Sequence, residues 1–145
     1  MSQPGWKGYS PLYVQFLYHF NVDRDYFECH EVLEELWMEE GREPLFQGLL
    51  QVAVALYHHR NDNENGARKL LKGALEKLVD YPKDALGIDL DQLRTDAATY
   101  LEQLERSTST HPYLFHHLNI KILDSQLDSL VGKIITNHRS DIEDM

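Results

Sequence analysis

The stretch Leu45–His59 constrains the fold most, because Leu45, Phe46, Leu49, Leu50, Val52, Ala53, Val54 and Leu56 leave a helix there apolar on most sides. Such a helix has too little polar surface to lie in water and must be enclosed by others. The chain supplies them. Ser10-Pro11 reads as a cap followed by proline in the first turn, and Leu12, Phe16, Leu17 and Phe20 then recur at helical spacing over 10–20. Asn21 and Asp23 break that helix and cap a second running from Asp25 to Glu40, which Gly41 terminates, and Pro44 opens the apolar third. Asn61, Asp62, Asn63 and Asn65 make a turn. Ala67, Leu70, Leu71, Ala74, Leu75, Leu78 and Val79 mark a fourth helix, with basic residues on its outer face, up to Tyr81-Pro82. Asp89 or Asp91 caps a fifth carrying Leu93, Ala97, Tyr100, Leu101 and Leu104. Beyond it, Leu118, Ile120 and Ile122 alternate as an extended segment does, and Asp124 caps a last helix through Ile135.

The expected fold is therefore all-α: an antiparallel up-and-down bundle of five to six helices. Residues 1–110 form the bundle domain, and 111–145 form a C-terminal extension, extended then helical, packed on it. At 145 residues one domain is expected. The single cysteine, Cys29, excludes an intrachain disulfide and is expected to be a small core or surface residue, which fits a cytoplasmic address. No run approaches the roughly 18 apolar residues of a spanning helix, and Met1–Trp6 lacks the basic-then-apolar pattern of a leader. With 14 Lys and Arg against 24 Asp and Glu, the net charge of -10 opposes nucleic acids and anionic membranes, which draw on clustered cations. A small molecule, a protein or a second copy of the chain remains as partner.

At roughly 100° per residue, the second helix places Tyr26, His30, Leu33, Glu34 and Trp37 in one stripe, with Phe27 at its edge. The third places Gln47, Gln51 and His58 in one row with Val54 and Ala55. A hairpin centred near residue 42 sets Trp37 opposite Gly48, Glu34 opposite Gln51, His30 opposite Ala55 and Phe27 opposite His58. The two polar rows should then meet, with Gly48 and Ala55 leaving room for Trp37 and His30. This register predicts a cluster of His30, Glu34, Gln51 and His58, with Tyr26 or Tyr57 alongside.

Such a seam can be read in three ways. A self-satisfied polar network would fix the register of the helix pair. A divalent metal such as zinc, or iron or manganese, would use His30, Glu34 and His58 as ligands, with Glu31 or Gln51 orienting a water in a metal-dependent enzyme such as a hydrolase. General acid–base chemistry would employ His30, Glu31 and Glu34. The stretch His30-Glu31-Val32-Leu33-Glu34 lacks the second histidine of HExxH, no paired Glu-x-x-His motifs appear, and neither a Gly-rich phosphate loop nor a Gly-x-Ser-x-Gly elbow is present. A separate reading is a partner-binding module using Trp6, Tyr9 and Tyr13. His111, His116 and His117 read as a polar connection.

The residues Phe20-Asn21, Tyr26–Trp37 (YFECHEVLEELW) and Gln47–His58 (QGLLQVAVALYH), continuing through Asn63, Gly66-Ala67, Leu70-Leu71, Tyr81-Pro82 and Gly87, resemble domain-of-unknown-function family 309. The likeness covers residues 16–105. It implies a small all-helical fold and no established activity. The family's motif positions fall on Asn21, His30, Glu31, Glu34, Trp37, Gln51 and His58, so Asn21, Tyr26, Trp37 and Gln51 join the histidines as candidate binding residues.

Overall fold

The computed structural model of the chain describes residues 8–143, with side chains through His138. Six helices follow one another: α1 (Pro11–Asn21), α2 (Tyr26–Glu39), α3 (Pro44–Arg60), α4 (Glu64–Leu78), α5 (Leu90–Arg106) and α6 (Ser125–Glu143). Their starts are set by short polar side chains that accept orphan backbone N–H groups: Ser10 from Leu12, Asp25 from Glu28, Asn63 from Gly66 and Asp89 from Gln92. Asp124 accepts from Gln126 ahead of α6, as its position implied. Helix α3 has no side-chain cap and starts on Pro44, whose missing N–H needs none.

Gly41 ends α2 in the left-handed region at φ 72°, and the Arg42 N–H returns to the Trp37 carbonyl at 2.7 Å, closing a Schellman-type turn. The last carbonyl of α4 and one in the turn after it are met differently. The Arg94 guanidinium donates to Leu78 and Tyr81 carbonyls, both at 2.8 Å.

Helix α3 lies between α2 and α4, α1 packs on α2, α5 on α4, and α6 returns to α1. The enclosure demanded by its composition is met: Leu49, Val52, Ala53, Ala55 and Leu56 are buried. Gly48 corrects one expectation. A methyl group there would come within 2.7 Å of Leu78, so the missing side chain admits α4, not Trp37. The segment between α5 and α6 is neither helix nor sheet. Its one ladder-like contact is an antiparallel bridge between Ile122 and Ile88, beside the single 3-10 turn Ala85–Gly87. Leu118 and Ile120 are nonetheless buried in the core, as the apolar alternation implied. No helix among the described residues is long and apolar enough to cross a membrane.

Candidate functional site

The hairpin of α2 and α3 brings Tyr26, Phe27, His30, Val54, Tyr57 and His58 around one pocket of about 160 Å³. Phe27 is half-exposed, at 51%, and its ring lies 6.2 Å from both the His30 and Tyr57 rings. The predicted register therefore holds at this end of the seam: Phe27 faces the His58 turn, and both imidazoles border the same space.

Further along, the expected cluster does not assemble. Gln51 turns toward α4, where its amide lies against Gly73, with Oε1 buried and lacking a hydrogen-bond partner. Trp37 keeps its Nε1 buried without a partner while the Arg42 guanidinium covers its ring at 5.4 Å. Glu34 is 56% exposed; its carboxylate stands 3.2 Å from His30 Nε2, and Glu31 stands 3.3 Å from His30 Nδ1. His58 Nδ1 instead faces the Asn63 amide at 3.3 Å. The trio His30, Glu34 and His58 is thus not gathered as a ligand set. Among the described residues no group of three or more His, Cys, Asp or Glu is placed to hold a metal ion. The physical reason is the helix itself: the carboxylates one and four residues beyond His30 lie on its solvent side, where each is more than half exposed.

The residues at the far end of α3 escaped the sequence reading. His59 is 5% exposed, with Nε2 at 2.9 Å from the Tyr113 carbonyl and Nδ1 at 2.5 Å from the Tyr100 hydroxyl. A carbonyl only accepts, so Nε2 carries the proton, and in the neutral ring Nδ1 accepts from Tyr100. Its ring stacks on Tyr113 and meets Tyr100 edge-on. Arg60 lies over Tyr26 at 4.8 Å and Phe115 at 5.8 Å. The available signal was the pair of aromatics Tyr113 and Phe115 just ahead of the apolar alternation at Leu118, Ile120 and Ile122.

That connection crosses the end of the bundle as a strap, and it accounts for two more candidates. The Asn21 amide both donates to the Ile120 carbonyl (2.8 Å) and accepts from the Ile120 N–H (2.9 Å). Tyr26 places its hydroxyl 2.6 Å from His117 Nδ1, and Arg24 donates to the Leu118 carbonyl at 2.5 Å. His116 is held by the Tyr113 hydroxyl and the His117 carbonyl, while His111 stays in an exposed turn with Thr108 and Thr110. Burial raises the Tyr26 hydroxyl, with Arg24 and Arg60 opposing. Burial, then Arg24, Arg60 and His116, hold His117 below its ordinary range.

Of the three aromatic-module residues, Tyr9 and Tyr13 are not surface anchors. Tyr13 is buried and donates to the Leu86 carbonyl, and Tyr9 is bonded to Asp124, which with burial pushes its hydroxyl up to about 12. Trp6 lies outside the described residues. Cys29 is a core residue, fully buried, with its thiol against the Phe16 carbonyl and pushed far up by desolvation.

A curated protein of Bacillus subtilis (strain 168), "Uncharacterized protein YpuF", is 39% identical over 102 residues, which is 67% of this chain and 59% of that protein. An "Uncharacterized protein" of Aquifex aeolicus (strain VF5) is 30% identical over 83 residues, 55% of this chain and 24% of that protein. The chain thus spans less than two thirds of the length of both relatives, and neither name carries an activity. The model of the family described as "Domain of unknown function (DUF309)" matches residues 13–70, which take in α1, α2, α3 and the start of α4 together with the whole pocket. Over that segment the chain is similar to the domain-of-unknown-function family 309.

Proposed function

We propose that the chain is a protein-interaction domain whose α2–α3 pocket receives one apolar side chain from a basic partner segment. The half-exposed Phe27 at the mouth of the pocket supports this most directly. A solvated aromatic beside Tyr57, His30 and Val54 is a surface that gains by being covered. Size argues for a single side chain. The pocket of about 160 Å³ falls below the roughly 300–1,000 Å³ of cofactor and small-molecule sites. Charge argues for a basic flank, since Glu31 and Glu34 stand exposed against His30, which lines the pocket, and the chain carries -10. The same charge disfavours nucleic acid, and the buried thiol of Cys29 suits a cytoplasmic setting.

Fluorescence polarisation with a labelled amphipathic Leu/Lys peptide, beside its Leu/Glu analogue, tests the reading. The basic peptide should bind at moderate salt, and Phe27→Ala or Val54→Ser should weaken it roughly thirtyfold, the loss of an anchor worth about 2 kcal/mol. Binding of the Leu/Lys peptide that both variants retain in full would reduce the interaction to charge alone and overturn the pocket. Binding abolished by EDTA would move the site to a metal and overturn it equally.

A further inference from the structure

We propose that the strap and α6 form an exchangeable arm, and that two copies of this chain associate by trading it. The seat of the arm is built to grip backbone. Asn21 uses both amide atoms on the main chain of Ile120, Arg24 and His59 take the carbonyls of Leu118 and Tyr113, and Tyr26 takes His117. Arg24 does so from a left-handed backbone at φ 59°, a conformation that its neighbours must hold in place. Every one of these holding residues lies in α1, α2 or α3 or the turns between them, some fifty to one hundred positions before the residue it holds. An identical segment from a second copy meets the same atoms in the same geometry, so the seat does not distinguish its own arm from another's.

The arm also has a hinge. Residues 107–110 read Ser-Thr-Ser-Thr, and the stretch from 108 to 112 is exposed. The turn is closed on itself, by Thr108 N–H to the His111 carbonyl and His111 N–H to the Thr108 hydroxyl. Opening it gives up these local bonds to water and lets the chain run straight out. The arm has further holds in the backbone bonds of Lys121, Leu123 and Asp124 to Gly87 and Asp89 and in the Ser107 hydroxyl on Glu64, all of which must open as well, whereas beyond the strap α6 packs chiefly on α1. Leu118, Ile120, Leu127 and Val131 are buried on the seat, so it must be filled, and at high concentration a neighbour's arm fills it.

The test links seat to arm across chains. Arg24→Cys and Asn119→Cys are made in separate chains, at the contact between the Arg24 guanidinium and the Asn119 amide oxygen. The two are mixed concentrated, warmed, diluted and treated with a short bis-maleimide. The expected result is a discrete species of twice the chain mass whose linked peptides carry positions 24 and 119, and whose yield rises with protein concentration before dilution. A chain bearing both substitutions serves as the geometric control and links within itself when dilute. Deleting Thr108–Thr110 removes the slack needed to turn back, and should shift the full chain to the dimer in light scattering. Overturning results are a monomer at every concentration, or a dimer in which the two introduced thiols never link between chains. Phe27→Ala, which breaks the proposed pocket, leaves the linkage unchanged, so the two readings fail separately.

Discussion

His58 and His59 are neighbours in sequence and opposites in circumstance. One borders an open pocket with a single amide for company; the other is buried, with both ring nitrogens engaged by Tyr100 and Tyr113. One step of about 100° around α3 separates them. The contrast divides the molecule into a face with unspent binding capacity and an end where His59 and His117 already work to hold the strap. Identity as histidine says little about role. What surrounds the ring says nearly everything.

Four measurements can break or sharpen this contrast. His59→Ala should cost about 3 kcal/mol in urea unfolding, because it opens a cavity and strands the Tyr100 hydroxyl and Tyr113 carbonyl. A cost no greater than that of His58→Ala would erase the distinction. Asn21→Ala should cost about 2 kcal/mol and sharply reduce hydrogen-exchange protection of the Ile120 amide, whose acceptor it removes. Protection at Ile120 that survives the change would show the strap to be held by packing alone.

The third concerns pH. His117 is held below its ordinary value of 6.5 in the folded chain, so the unfolded chain binds the proton first. Its contribution is complete above 6.5 and declines as pH falls below that value toward the folded one. Melting temperature should drop over this window, and His117→Gln should flatten the slope; an unchanged slope would exclude this imidazole as its source. The smallest effect belongs to the open face. His30→Ala should alter stability by no more than about 0.5 kcal/mol, since its pairs with Glu31 and Glu34 are exposed. A larger loss in calorimetry would mean the pocket is a structural element.

The helices were legible because Ser10, Pro44, the polar turn at 61–65 and the Asp89/Asp91 pair mark the starts and apolar spacing follows, although the cap of α2 is Asp25 and not Asn21 or Asp23. The register of α2 on α3 was legible too, and it brought His30 and His58 to one pocket. The reading of Gln51 and Gly48 failed for a definite reason: α3 has a neighbour on each side, and a hairpin argument considers only one. Gln51 and Gly48 face α4. His59, Asn21 and Arg24 were missed as parts of the strap interface because their partners lie between 54 and 99 residues away, beyond any periodicity. The apolar alternation at Leu118, Ile120 and Ile122 indicated that the segment packs on the bundle, but not which residues hold it.

The clasp of Asn21 on Ile120 also sets a timetable. During synthesis from the N-terminus, α1 is complete long before its acceptor and donor exist, and this amide stays with water until residue 120 has left the ribosome. The helices in between can pair with their neighbours as they emerge. Closure of the end of the bundle cannot, so these late native contacts belong to α1, and a nascent chain stalled before that point presents Tyr26 and His59 uncovered to whatever chaperone or protease is near.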